Sequence, residues 1–395
     1  MNGLRVVFVT RRSWPLLGGA ENAIAVLATE MRARGAKPTI VTARWGQTWP
    51  SRVFYGEVPI VRLPRPRGQA WGEFRYLHAL RRWLKQHRHE VDLACVSKMR
   101  LEAYTTLSAL RGTSIPVVLR AEQAGVAGCC QWHQHARFGR RIRQECRAAT
   151  AVIATDASVG EELARADFDE QQVHLIPNGT AIQPARSPAV REAARRALGE
   201  VNSDLKTHPE TKIVLFLGRL RKSNGLMPLV DAWPNVLAEC REARLWLVGD
   251  GPLRDALADK IRDLQLQSTV LMPGSFDEVA DVLSAADLLV CPTPEPGMPL
   301  ALLEATAACL PIVAIDTPTT RACSPTSGEN AQLVPPDDVT ALGRALIRYL
   351  QYPPPRHAVL AACRSVHRAY DFRRMIDEHA DLFQRLVSQQ CNEFH

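Results

Sequence analysis

Residues 5–10 read RVVFVT, a short apolar run without polar alternation. Such a run suits a strand buried on both faces, as in a parallel sheet covered by helices. A Gly-containing loop at 15–19 follows. Ile24, Leu27, Ala28 and Met31 then recur at helical spacing until Gly35 ends the helix. Residues 38–42 form the next predicted strand, and 115–119, 151–154 and 173–176 continue the series. The rhythm restarts after a less regular, Pro-containing segment, 183–209. Residues 212–217 read as a strand, 218–225 as a loop, and a helix runs to about residue 239. Further strands follow at 244–248, 270–272, 288–291 and 311–315, with helical patterns between them. Two successive βαβ series predict an α/β chain of two doubly wound domains with a cleft between them. From about residue 356 the pattern is helical only, as in a tail that packs across a neighbouring domain.

Composition agrees with this picture. The 395 residues are 46% hydrophobic and 23% charged, which excludes a disordered or collagen-like chain and favours two domains over one. The net charge of +8 is uneven. Residues 1–185 hold 26 Lys and Arg against 15 Asp and Glu, whereas the remainder holds 23 against 26. An anionic partner for the first half is the physical expectation. Only seven of the 49 basic residues are lysines, a skew that a GC-rich genome also produces. Ten cysteines show neither CxxC nor zinc-ligand spacing and read as reduced, structural thiols of a cytoplasmic protein. Arg11-Arg12 is not followed by a hydrophobic region, so a signal peptide is not expected. The longest apolar stretch, 300–315, is interrupted by Glu304 and is too short to span a bilayer.

Several loops carry candidate chemistry. Gly18-Gly19-Ala20-Glu21 opens the first helix directly after the first strand. Glycines there admit a phosphate to the helix N-terminus, although a tight β–α turn explains them equally well. The loop 218–225, GRLRKSNG, sets up to three cations beside a strand end, where a diphosphate would use a forked guanidinium and an ammonium. LVGDGP at 247–252 resembles half of a dinucleotide fingerprint. Arg254 replaces its last glycine, and that argues against hydride transfer. TPEPGMPLALLE at 293–304 joins a Pro/Gly loop to a helix bearing Glu304, whose carboxylate could accept bonds from a ribose. IPNG at 176–179 closes the first series. Asp167-Phe168-Asp169 reads as a solvated turn.

In order and spacing, GGAE, IPNG, GRLRKSNG, LVGDGP, ADLLVCPT at 286–293, GMPLALLEA at 297–305, GEN at 328–330 and LVPPDD at 333–338 resemble the family 4 glycosyltransferases. The resemblance implies a GT-B fold, with two Rossmann-like domains facing a central cleft and C-terminal helices crossing back. It implies an acceptor-binding domain at 1–182, a nucleotide-sugar-binding domain at 183–365 and a helical tail at 366–395 packing towards the first domain. It also implies retaining transfer of a hexose or N-acetylhexosamine from a nucleotide sugar, with a UDP-linked donor expected, without a bound metal or other cofactor. Gly18 and Gly19 would face the donor diphosphate or the acceptor. Arg219 matches the diphosphate-binding Arg. The usual Lys falls on Asn224, so that Lys222 would supply the second cation. Gly218, Gly249, Gly251 and Leu300 join the implied donor set. Gly297, Met298 and Pro299 match the loop whose amides meet the sugar and phosphates, and Glu304 matches the ribose ligand. Two positions depart from the pattern. The first acid of the paired-glutamate motif falls on Pro296, leaving Glu295 one residue off register. The His expected after the strand at 115–119 is replaced by Arg120-Ala121-Glu122-Gln123, so Glu122 or Arg120 would make that sugar contact.

The implied chemistry places Arg219 and Lys222 on the leaving diphosphate, with Glu295 and Glu122 at the sugar. Pro296 also admits a second reading, a non-catalytic nucleotide-sugar-binding paralogue that acts as an assembly partner; a same-fold epimerase lacks its acid and His constellation. The acceptor would be a glycan or lipid-linked hydroxyl. Residues 65–89 interleave Trp71, Phe74, Tyr76, Leu77, Leu80, Trp83 and Leu84 with Arg67, Arg75, Arg81, Arg82, Lys85 and Arg88, and 137–147 is also basic. These read either as a peripheral contact with the inner face of an anionic membrane or as ordinary surface helices with core-facing stripes. No nucleic-acid recognition motif is present.

Overall fold

The computed structural model describes residues 1, 3–16, 19–64, 70–125, 128–180, 187–276, 278–294, 300–323 and 330–393. The chain forms two compact units, Met1–Gly179 with Arg373–His395, and Thr180–Phe372.

The first unit carries strands β1 (Arg5–Val9), β2 (Lys37–Ala43), β3 (Arg52–Tyr55), β4 (Val58–Leu63), β5 (Leu93–Ser97), β6 (Val117–Ala121), β7 (Ala151–Ala154) and β8 (Val173–Leu175). Their order across the sheet is β3-β4-β2-β1-β5-β6-β7-β8, and every pair is parallel except β3 with β4. Helices α1 (Gly19–Ala33), α2 (Ala70–His87), α3 (Leu101–Leu110), α4 (Cys129–His135), α5 (Gly139–Cys146) and α6 (Ala157–Arg165) connect them. All residues of β5, β6 and β7 are buried. Burial on both faces explains why these strands lack polar alternation.

The second unit runs α7 (Pro188–Val201), β9 (Lys212–Leu217), α8 (Leu226–Glu239), β10 (Ala243–Val248), α9 (Arg254–Asp263), β11 (Val270–Gly274), α10 (Ala280–Ala285), β12 (Leu288–Cys291), α11 (Leu300–Ala307), β13 (Ile312–Ile315), α12 (Pro318–Cys323), β14 (Ala331–Val334), α13 (Val339–Gln351) and α14 (Arg356–Ala369). Its six strands are all parallel, in the order β11-β10-β9-β12-β13-β14. The period of two along each strand divides the core into two layers. Val214, Phe216, Leu245 and Leu247 pack with α8 and α13, whereas Ile213, Leu215, Trp246 and Val248 pack with α7, α10 and α11.

The last helix, α15 (Phe372–Glu393), belongs to the first unit from Arg373 onward. It buries Met375, Ile376, Ala380, Leu382, Phe383 and Leu386, and the Phe383 ring lies 6.4 Å from Phe8 of β1.

Every strand expected from the sequence is present, but β3, β4, β5 and β14 were not expected. β3 and β4 form a hairpin about Gly56, whose φ is +55°. β5 reads LACVS, with one β-branched residue in five, so its local preference is weak. It is fixed instead by its neighbour. The Arg5 amide donates to Asp92 Oδ2 at 2.8 Å, and the Arg5 guanidinium pairs with the same carboxylate, setting the start of β5 beside β1.

Candidate functional site

Strand order in the second sheet reverses between β9 and β12. Ligands of open parallel sheets settle at the carboxyl ends of the strands beside such a reversal. The loop after β9 is braced from below. Gly218 N donates to Val248 O at 3.0 Å, Leu220 N to Asp250 O at 3.1 Å, and Leu253 N to Leu220 O at 3.0 Å. The Asn224 amide is buried and donates to the Arg219 carbonyl at 2.7 Å, while its oxygen accepts from Arg221 Nε at 3.1 Å. Asn224 therefore shapes the loop rather than presenting its side chain to solvent. Arg219 and Lys222 are exposed, and neither has an ion pair among the described residues. Lys222 opens a 3-10 turn that ends at Gly225, where φ is +68°. A Cβ on Gly225 would lie 2.0 Å from the Pro292 carbonyl oxygen, so this glycine lets the β9 loop press against the segment leaving β12.

Gly249 and Gly251 have a comparable origin. A Cβ on Gly249 would lie 1.9 Å from Gly218 O, and one on Gly251 2.2 Å from Leu220 O. Both glycines keep the loop after β10 flush against the loop that carries Arg219. That packing accounts for their presence without requiring a phosphate at either position.

Leu300 starts α11, and Glu304 follows one turn later, partly buried. Burial raises the Glu304 carboxyl to about 7. Glu295, Gly297, Met298 and Pro299, and Gly18 in the first unit, lie outside the described residues.

In the first sheet the order reverses between β1 and β5. Gly19 opens α1 after β1, and Glu21 in its first turn pairs with Lys98 at 3.3 Å. Lys98 follows β5 with φ +71°, a backbone conformation uncommon for a side chain of this size. Arg11, after β1, bonds Glu73 and Glu102, and Arg12 lies over Trp45 at 5.1 Å from the ring centroid. The sequence marked this edge only through GGAE; Arg11, Arg12, Lys98 and Glu102 were missed, since they come from separate segments.

Glu122 and Arg120 occupy an interior network. Arg120 is fully buried and Glu122 is 7% exposed. Arg120 Nε donates to Glu122 Oε1 at 3.1 Å, and Ser97 Oγ donates to the same oxygen at 3.1 Å. Arg120 Nη2 donates to Asn178 Oδ1 at 2.7 Å, and Nη1 lies 3.1 Å from His379 Nε2. His379 Nδ1 is 2.7 Å from the Met375 carbonyl. Burial, and then the Arg120 charge, lower the His379 pKa to about 3. The neutral ring thus donates from Nδ1 and accepts at Nε2. The IPNG motif supplies Asn178 to this network.

The stretch 65–89 separates into two faces of α2. Tyr76, Leu80 and Leu84 are fully buried, and Leu77 and Trp83 pack against the same core. Trp71, Phe74, His78, Arg81 and Lys85 recur at three- and four-residue spacing on the exposed side, with Trp71 69% and Phe74 58% exposed. Trp71 stacks on Phe74, and Phe74 on His78. The core-facing stripe of the sequence reading is therefore present together with an exposed aromatic and basic stripe. Among the described residues no helix is long and apolar enough to cross a membrane, and Asp167 and Asp169 sit in an exposed turn before β8.

A family model for glycosyltransferase family 4 matches residues 17–183, and one for glycosyl transferases group 1 matches residues 211–352. The D-inositol 3-phosphate glycosyltransferase of Kineococcus radiotolerans is 31% identical over 248 residues, 58% of this chain and 55% of that protein. The putative glycosyltransferase EpsF of Bacillus subtilis is 26% identical over 43% of each chain. These alignments thus span about half the length of the curated relatives. Among solved structures, sucrose-phosphate synthase from Thermosynechococcus elongatus superposes with a TM-score of 0.76 at 20% identity, covering 98% of this chain and all of that one. HepE from Anabaena, solved with UDP and glucose, superposes at 0.75 with 19% identity, covering 97% of this chain and all of that one. With both family models matched in order and the two parallel sheets of the GT-B fold, the chain belongs to the family 4 glycosyltransferases.

Proposed function

We propose that the protein is a retaining glycosyltransferase that moves a hexose or N-acetylhexosamine from a UDP-linked sugar to a hydroxyl of a glycan or lipid-linked acceptor. The synthesis of cell-surface polysaccharide or glycolipid is the setting this reading assigns. One observation carries it. Two exposed cations, Arg219 and Lys222, stand on a braced loop where the second sheet reverses its strand order, and Glu304 stands on the helix that follows the neighbouring strand.

In this reading the bond from the sugar C1 to the diphosphate oxygen breaks, and a bond from C1 to the acceptor oxygen forms. UDP and a proton are released. Negative charge grows on the leaving diphosphate while the sugar passes through an oxocarbenium-like state. The Arg219 guanidinium and the Lys222 ammonium offset that charge from a loop that needs little reorganisation. The ionised Glu304 accepts from the ribose hydroxyls. Glu295 and the backbone at Gly297, Met298 and Pro299 complete the donor contacts. Glu122 acts on the sugar only through the walls of the site, because Arg120 and Ser97 already hold its carboxylate. The first unit selects the acceptor, and its exposed α2 stripe rests on the anionic inner face of a membrane.

A thermal-shift screen of nucleotides, followed by a UDP-release assay with stabilising UDP-sugars, tests this reading. Arg219→Ala should lower turnover by about two to three orders of magnitude; near-wild-type turnover would overturn the assignment. UDP binding with no turnover of any UDP-sugar would favour the non-catalytic reading that Pro296 motivates.

A further inference from the structure

The two basic clusters flagged in the sequence, one on α2 and one on α5, converge in the structure. α2 packs on α3 and α3 on α5. The groove they form has a volume of about 540 Å³ and is lined by Arg81, Arg111 and Arg141 together with Tyr104, Ser108 and Gln144. Each arginine comes from a different helix or helix end. Glu145, also at the groove, pairs with Arg111. The Arg141 guanidinium lies 5.7 Å from the Tyr104 ring centroid. Neither Arg81 nor Arg141 has an ion pair among the described residues. Three guanidinium groups and one carboxylate leave an excess of two positive charges around a polar groove.

We infer that this groove binds the phosphate of an anionic phospholipid headgroup. The inference rests on the membrane reading above and deepens it, replacing a diffuse basic face with a defined headgroup site. A phosphodiester offers acceptor oxygens that the planar forks of Arg81 and Arg141 can engage in pairs. The Tyr104 and Ser108 hydroxyls can donate to the oxygens left over. Arg111 is neutralised by Glu145 and serves as a wall. The surroundings select a lipid over a free phosphate. Arg81 continues the exposed stripe that begins with Trp71 and Phe74, and Phe138, immediately before α5, is 59% exposed. Exposed aromatic rings beside cations suit the headgroup level of a bilayer.

The test uses the full chain and vesicles of phosphatidylcholine, with and without phosphatidylglycerol, at low ionic strength. Arg81→Gln/Arg141→Gln is compared with the charge-matched Arg82→Gln/Arg88→Gln, which removes two exposed cations outside the groove. Any cation near an anionic surface contributes on the order of fivefold to binding. The groove pair should therefore fall roughly tenfold further than the control pair, by the loss of paired hydrogen bonds to phosphate. Equal losses would overturn the site in favour of a diffuse surface. Glycerol 1-phosphate raising the melting temperature of the parent but not of Arg81→Gln/Arg141→Gln, with no preference for phosphatidylglycerol, would assign the groove to a soluble phosphate and overturn the lipid. Absence of vesicle binding by the parent would overturn the membrane reading together with this one. UDP-induced stabilisation, measured on each variant, reports separately on folding and on the nucleotide-binding reading.

Discussion

Glu304 has lost water without gaining a cation, and its chemistry follows from that. Burial alone lifts its carboxyl to about 7. The unfolded chain releases this proton near the ordinary value of 4.5, whereas the folded chain holds it to about 7. The stabilisation is therefore complete below the lower value and is lost as pH rises through the upper one. Glu304→Gln should raise the melting temperature of the ligand-free protein at pH 8 and change it little at pH 4.5. Ligand binding should run the other way. A ribose donates its hydroxyl protons, so uridine affinity should increase through pH 7 in the parent and be flat in Glu304→Gln. Calorimetric titrations across that range would show a sloped and a flat profile; two parallel profiles would remove Glu304 from the ribose. The sequence placed Glu304 on the right helix, but the raised pKa depends on packing it could not reveal. The glycines are a similar case. Gly249 and Gly251 belonged to the donor set the resemblance implies, yet each faces a carbonyl of the neighbouring loop within 2.2 Å of where a Cβ would stand. Gly249→Ala should cost about 1–3 kcal/mol in urea denaturation. Gly3→Ala, with a positive φ but open space, should cost less.

At the scale of elements, strands with continuous apolar runs were legible because burial on both faces writes itself into composition. β5 and β14 were not, since LACVS and AQLV owe their strand state to neighbours already in the sheet. The Arg120 network was illegible for a different reason: Glu122, Asn178 and His379 reach one guanidinium from three separate segments, Ser97 reaches Glu122 from a fourth, and 259 residues separate Arg120 from His379. Its energetics can be measured. Arg120 and Glu122 have side-chain exposures of 0% and 2%. Removing one partner leaves the other charged and unpaired in the interior, so Arg120→Met or Glu122→Gln should each destabilise the protein by about 3–5 kcal/mol. The double replacement Arg120→Met/Glu122→Gln should cost less than the sum, because neither charge is then left behind. A double-mutant cycle by urea denaturation reads the coupling, and strict additivity would contradict the buried pair. His379 adds an acid limit. Its pKa is depressed to about 3, so the stability it contributes is present above the ordinary His value of 6.5 and is lost as pH falls below it.

The two sheets and their order along the chain were visible in the restart of the βαβ rhythm. The sequence also showed a helical tail, but it did not reveal which strand the tail covers, because the Phe8–Phe383 contact joins the two ends of the chain. This arrangement makes the units unequal as folding entities. Both core layers of the second unit draw their buried residues from 194–366, within one continuous segment. The first unit is discontinuous and needs α15. Five of its large apolar side chains, Met375, Ile376, Leu382, Phe383 and Leu386, are buried. At about 1.5–3 kcal/mol each, their burial matches the whole stability of a typical domain, about 5–15 kcal/mol. Deleting α15 also strips Arg120 of its contact with His379. A fragment of residues 180–372 should therefore unfold cooperatively and retain UDP affinity within a few fold of the full chain. A fragment of residues 1–179 should be aggregated or molten and should gain structure when a 373–395 peptide is added. Circular dichroism melts, size-exclusion profiles and UDP titration separate these outcomes. A well-folded 1–179 fragment would show that the sheet closes without α15, whereas failure of 180–372 to bind UDP would show that the nucleotide needs residues of the first unit.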